Sequence, residues 1–384
     1  MDTIRNESHS SVVDMPDEFS HFEAVYKVLT DAIRARAFPG CAFGVLADGQ
    51  VVLSDALGCF AYDEDTPIVK PHTVFDVASL TKVVSTTAVA MLLHQRGQLE
   101  LDTPLGELLP GFIVGRDSAR LARQVTIRHL LAHNSGLPGY VEFFRTVATP
   151  ADLYRACLEL PIEAIPGTRS EYSDPGFILL GKALEILTSE ELPEFARREI
   201  FEPLGMKSTR FSPTTEQRPL IPPTEIDNQL RQRRIQGEVQ DENAYVLHGA
   251  AGHAGLFSNV ADLLKFAGEV LTGSSPSTLH NSSGLFNRDT VETFAQRQEP
   301  EGSSRALGWD TPSQESSAGQ YFSRHSIGHL GFSGCSLWID LDASVAAVLL
   351  TNRTWPDRQS QLIREIRPSF HDAVRVSLSG QQPL

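Results

Sequence analysis

At 384 residues the chain is long enough for a sizeable core and, on length alone, about two domains. Hydrophobic residues make up 41% and charged residues 21%, the composition of an ordinary globular protein. A net charge of -15 argues against a nucleic-acid binder or a protein held on anionic lipid, because both need basic patches.

Residues 1–16 are polar and lack the apolar stretch behind a basic start that a signal peptide needs, so residues 1–17 read as a disordered tail. Residues 19–37 predict an amphipathic helix with Phe22, Val25, Tyr26, Leu29 and Ile33 on one face. Two β-rich runs, 41–47 and 50–57, meet at Asp48-Gly49, a hairpin signal. Leu80, Val83, Val84, Ala88, Met91 and Leu92 then recur at helical spacing, with Asp76 as N-cap and Arg96-Gly97 as stop. Further helices are predicted over 125–133, 151–159, 176–188 and 192–201. Residues 212–240, rich in proline, glutamine and arginine, read as a long surface excursion. A helix follows over 262–272, then a loop over 273–284, a second hairpin from 333–340 and 344–350, and a last helix over 358–378.

Strands at both ends with helices between predict an α/β fold. Its antiparallel sheet, flanked by helices, is built from both termini (18–84 and 241–384), and a mainly helical domain (85–240) is inserted. The cleft between the two parts is the expected active site. No stretch approaches the length of a membrane span. The four cysteines, Cys41, Cys59, Cys157 and Cys335, lack C-x-x-C spacing and read as thiols in a reducing compartment, hence a cytoplasmic location. Cys41 and Cys59 could nevertheless face each other on the first hairpin.

The chemistry centres on Ser79 and Lys82, one turn apart on the same helical face. A serine hydroxyl becomes a useful nucleophile when a neighbouring base takes its proton, and a lysine depressed in pKa by burial can do that. Three further stretches supply partners: Glu171-Tyr172-Ser173-Asp174 before a helix, Gly252-His253-Ala254-Gly255, and His329-Leu330-Gly331-Phe332 on a strand. A phenol beside a lysine can share a proton, so Tyr172 could deprotonate Ser79 and later serve the leaving group. The Phe332 N–H could face the Ser79 N–H as a second oxyanion donor. His129 and His133, four apart, have a spacing compatible with zinc but lack the glutamate of H-E-x-x-H and an obvious third ligand, so they read as structural. His253 reads as a packing or loop residue. Arg231, Arg233 and Arg234 read as a solvated face, or as contacts to an anionic substrate; Asp241 and Glu242 carry the same two readings.

In this order the motifs resemble the class C β-lactamase and penicillin-binding-protein family of serine hydrolases, which uses S-x-x-K, then Y-x-N, then K-T-G or H-x-G. The resemblance runs from about residue 38 to residue 353. It implies that Ser79 is acylated, that Lys82 relays protons, that Tyr172 is the general base and that His329 flanks the acyl site. It also implies that the backbone N–H groups of Ser79 and Phe332 form the oxyanion hole. Asp174, Leu330 and Gly331 are then substrate-binding positions. Asp174 stands where the family usually has Asn, and His329-Leu330-Gly331 stands for Lys-Thr-Gly, so a permanent charge is exchanged for one expected to titrate near neutrality. These departures fit esterases, amidases and peptidases better than a β-lactamase proper. Ile221-Pro222-Pro223-Thr224-Glu225, Gly237 to Ala244 and Arg305 to Pro312 resemble a subgroup that includes muropeptide amidases of cell-wall recycling. The resemblance implies a small-molecule or peptide substrate and no metal or organic cofactor. The alternative readings are a β-lactamase and a non-catalytic penicillin-sensing or scaffold relative.

Overall fold

The computed structural model describes residues 17–380 except 64, 116–117 and 275–283. The expected tail, apart from Asp17, and most of the 273–284 loop lie outside the described residues.

The first hairpin forms around Asp48-Gly49. Both residues take positive φ, 49° and 77°, which suits a two-residue turn between twisted strands. Strands β1 (Gly40–Ala47) and β2 (Gln50–Gly58) come from the N-terminal part of the chain. Strands β3 (Ser326–Leu330), β4 (Ser336–Asp340) and β5 (Val345–Thr351) come from the C-terminal part. They make one antiparallel sheet in the order β2-β1-β5-β4-β3, with β1 and β5 in register from Cys41↔Thr351 to Ala47↔Val345. The framing helices are α1 (Glu23–Arg34), α2 (Ala88–Gln95), α3 (Asp174–Thr188), α4 (Val260–Ser274) and α5 (Ile363–Ser379). The predicted first helix is shorter than its apolar pattern, because residues 17–22 wind as a 3₁₀ turn before α1.

Alternation along the strands distributes the core over both faces of the sheet. Cys41, Phe43 and Val45 of β1 and Leu349 of β5 pack with Val25 and Leu29 of α1 and Phe370 and Val374 of α5. Ala42, Leu46, Val348 and Leu350 face the other way, into a cluster that continues through Leu263 and Phe266 of α4, Met91 of α2 and Phe177 of α3. The inserted helices therefore share one continuous apolar core with the sheet. No helix among the described residues is long and apolar enough to cross a membrane.

Two sequence expectations are corrected here. Cys41 and Cys59 do not face each other: Cys41 lies opposite Leu57 and Thr351, Cys59 bridges to Ile68, and all four cysteines are free. The surface excursion over 212–240 is more ordered than its composition shows, because it contains a two-stranded ribbon, Pro223–Asp227 with Arg233–Gln236, and Arg231 in it is not a solvated charge. The cause is charge pairing that composition hides. Asp227 accepts the N–H groups of Gln229 at 2.8 Å, Leu230 at 2.9 Å and Arg231 at 3.1 Å, and the Arg231 Nε at 2.7 Å. The Arg231 guanidinium, only 2% exposed, also donates to the carbonyls of Val239 and Gln240. It is a structural cation and does not face substrate; Arg233 and Arg234 stay exposed. Breaking a buried pair strands its partner, so Asp227→Ala should cost about 3–5 kcal/mol, read as a lower urea midpoint. An unchanged midpoint would mean that the ribbon is not tied down by this pair.

Candidate active site

The nucleophile turn is built against the small strand pair Phe75–Asp76 and Leu256–Ser258. From there the chain runs through a 3₁₀ turn, Ala78–Leu80, and a π-helical stretch, Lys82–Thr87, into α2. Asp76 is not the helix cap expected from its position. It lies in the strand, and its buried carboxylate accepts the N–H groups of Ala78 and Gln240, each at 2.8 Å. Ala78 has φ of 47°, a left-handed conformation that costs on the order of 1–3 kcal/mol and persists only when the surroundings hold it. They do so through the Asp76 bond to its N–H and the Thr81 hydroxyl bond to its carbonyl at 2.6 Å. The half-buried Ser79 follows this strained residue on the floor of a cleft of about 760 Å³.

The fully buried Lys82 ammonium meets the Ser79 Oγ at 3.0 Å, the His253 carbonyl at 3.0 Å and the Asp174 carboxylate at 2.7 Å. Tyr172 lines the same cleft, with the Lys82 Nζ 4.8 Å from its ring centroid. Burial pushes the lysine pKa down, but Asp174 and Tyr172 outweigh it and leave Lys82 above its ordinary value. The expected depressed lysine is therefore corrected: Lys82 is an ammonium, ion-paired from the first turn of α3. Burial, with the Asp174 charge adding to it, leaves the Tyr172 phenol above its ordinary value, although Lys82 pulls it down. Asp174, read from sequence as a substrate contact, ion-pairs with Lys82 and also lines the cleft.

On the opposite wall, β3 and the turn after it bring His329, Leu330, Gly331 and Phe332 into the lining of the cleft. Gly331 packs so closely on the nucleophile turn that a Cβ there would lie 2.4 Å from the Val77 carbonyl oxygen, which requires glycine. The Ser333 hydroxyl ties the same segment to the Asp76 carbonyl at 2.7 Å. Neither the Ser79 N–H nor the Phe332 N–H has an acceptor among the described residues.

His329 is buried, 5.8 Å from the Tyr172 ring, and its Nδ1 meets the Leu330 carbonyl at 2.8 Å. That contact assigns the proton to Nδ1 and leaves Nε2 as an acceptor. Burial first, then Lys82 and Arg305, lower its pKa well below the ordinary histidine value. The expectation that His329 carries a charge titrating near neutrality is thus overturned. Matched anionic and neutral substrates should show parallel KM profiles between about pH 5.5 and about 8.5, bracketing the ordinary histidine value. A KM that rises for the anionic substrate alone through that value would restore a charged His329.

The other histidines have internal tasks. His129 Nδ1 accepts the Thr126 N–H in a capping box, and His133 Nδ1 accepts the Ser173 N–H at 2.9 Å while its ring packs on Tyr172 and Phe177. His253 fixes Lys82 through its carbonyl, and its Nε2 lies 2.9 Å from Asp241. Asp241 and Glu242 both line the cleft, and Glu242 is also paired with Arg358. Sequence reasoning missed the guanidinium of Arg305, 5.2 Å above the Tyr172 ring, although the stretch that contains it had been singled out. It also missed Arg353, Arg358 and Arg367, which line the Phe332 side of the cleft.

The beta-lactamase family profile matches residues 25–367. An N-acetylmuramyl-L-alanine amidase of Bacillus subtilis (strain 168) is 29% identical over 356 residues, which is 83% of this chain and 78% of that protein. The solved structure of EstCE1, a hydrolase with promiscuous acyltransferase activity, superposes with a TM-score of 0.72 at 21% identity, covering 93% of this chain and 99% of that one. The octameric penicillin-binding protein homologue from Pyrococcus abyssi gives a TM-score of 0.70 at 21% identity, over 93% of this chain and 77% of that one. At such identities the two structures establish the shared fold.

Proposed function

The chain belongs to the beta-lactamase family of serine hydrolases, and from that premise we propose that it cleaves an amide or ester bond through an acyl-enzyme on Ser79. One observation carries this reading: the Ser79 Oγ meets the Lys82 ammonium at 3.0 Å in a cleft that Tyr172 also lines, its ring centroid 4.8 Å from the same ammonium. Lys82, held as an ammonium by Asp174, has no lone pair with which to take a proton. Tyr172 is then the base. As its phenolate it accepts the Ser79 proton while Oγ bonds to the substrate carbonyl carbon, and the Lys82 charge stabilises that phenolate. The carbonyl oxygen gathers negative charge between the N–H groups of Ser79 and Phe332. Tyr172 returns the proton to the leaving nitrogen or oxygen, and water attacks the ester on Ser79 by the same path in reverse.

The amidase name of the Bacillus subtilis relative supports N-acetylmuramyl peptides as the first substrates to test, with the muramyl carbonyl as the acyl group. Purified protein should release product from at least one member of a panel of muropeptides, D-amino-acid peptides, penicillins and short esters. An adduct without turnover would make it a penicillin sensor instead. Neither adduct nor hydrolysis across the panel would make it a scaffold that has kept the fold.

A further inference from the structure

The carbonyls of the segment that carries the Phe332 N–H are held by Arg353 and Arg367. Arg367 of α5 donates to the carbonyls of Gly331 at 2.5 Å, Cys335 at 2.9 Å and Gly334 at 3.3 Å. The Arg353 Nε donates to the Phe332 carbonyl at 2.8 Å, and the Arg353 N–H takes the Ser333 carbonyl at 2.9 Å. Every carbonyl from Gly331 to Cys335 thus meets Arg353 or Arg367. The hydrogen bonds that these two guanidiniums make run to carbonyls, and neither side chain forms an ion pair among the described residues.

Arg367 is 7% exposed. A buried cation met only by carbonyl dipoles is expensive, and fold stability alone would be better served by an apolar residue of similar length. Burial, with Arg353 adding to it, lowers its pKa to about 10, so it stays charged at neutral pH.

What Arg367 gains is control of one peptide plane. The C=O of Gly331 and the N–H of Phe332 belong to the same trans peptide unit and point in opposite directions. The carbonyl is fixed twice, by Arg367 and by the Gly334 N–H at 3.0 Å. The N–H is therefore aimed away from α5, with no acceptor of its own among the described residues. A cation on the carbonyl oxygen also polarises the amide and strengthens its N–H as a donor.

We propose that Arg367 is a positioning residue of the oxyanion hole, which sets the direction and donor strength of the Phe332 N–H through the Gly331–Phe332 peptide. The inference rests on the assignment of that N–H as an oxyanion donor above. Arg367→Met and Arg367→Lys decide it by three measurements: kinetics on a neutral short-chain ester, thermal melting, and the NMR signal of the Phe332 amide. The signal is taken from protein carrying isotope-labelled phenylalanine and is assigned with Phe332→Leu.

In Arg367→Met, kcat should fall about 10- to 100-fold with KM little changed, less than the loss from deleting an oxyanion donor outright. Arg367→Lys should recover most of it, and the Phe332 amide signal should move in the methionine variant without any substrate. A folded methionine variant with parental kcat and an unmoved amide signal would overturn the proposal. So would a raised KM at unchanged kcat, which makes Arg367 a substrate contact, or a loss accounted for by the melting temperature with the amide signal unmoved. If the parent does not turn over the ester, the hydrolase reading fails, and the amide signal alone decides this one: moved supports it, unmoved overturns it.

Discussion

Ser79→Ala should abolish turnover, with a loss on the order of 10⁶-fold in kcat, the scale on which serine hydrolases suffer when the nucleophile is removed. The fold should survive, because the Ser79 side chain is only half-buried and its hydroxyl bonds to Lys82 rather than to the core. Thermal melting and kinetics on the same preparation separate the two effects. A folded alanine variant with more than a trace of activity would move the nucleophile elsewhere, since background hydrolysis by the oxyanion donors alone needs no acyl-enzyme.

The second large effect is a shared one. Lys82→Ala and Tyr172→Phe should each lower kcat by several orders of magnitude, and the double variant should be hardly worse than either single one, because both serve one proton path. Losses that multiply would show two independent roles. Asp174→Asn sharpens this. The Asp174 charge raises both Lys82 and Tyr172, so its removal lowers both pKa values. If the ionised Tyr172 is the reactive form, the parental rate rises toward alkaline pH, and that rising limb should move to lower pH in Asp174→Asn. A limb that stays in place would mean that neither group controls the rate.

Much of this site was legible in the sequence because its parts are local. Ser79 and Lys82 are one turn apart, and Tyr172-Ser173-Asp174 opens a helix whose first turn must point into whatever it caps. His329-Leu330-Gly331-Phe332 is also one short consecutive run that enters the cleft together. The Asp48-Gly49 hairpin likewise carries its conformational demand within two residues. What could not be read is pairing across large separations. The ion pair of Asp174 is one such case, because only the fold places Lys82, distant in sequence, at 2.7 Å from its carboxylate. That same pairing reverses the expected depression of the lysine pKa.

Arg231 looked like a surface charge until Asp227 and two carbonyls enclosed it. His329 looked like a titrating substitute for lysine, but its burial among Lys82 and Arg305 is a property of the assembled cleft. Arg367 is the extreme case. It sits on the last predicted helix, and its meaning lies in carbonyls contributed by a different segment.

The central claim is the covalent bond to Ser79. It is tested most directly by quenching the reaction of the protein with a slowly released ester or a penicillin, then taking its intact mass and mapping its peptides. The account predicts a mass increase equal to the acyl group, located on Ser79, absent from Ser79→Ala and decaying at the rate of product release. Turnover with no adduct at any quench time, in particular turnover abolished by a chelator and restored by zinc, would contradict it. So would an adduct on any residue other than Ser79.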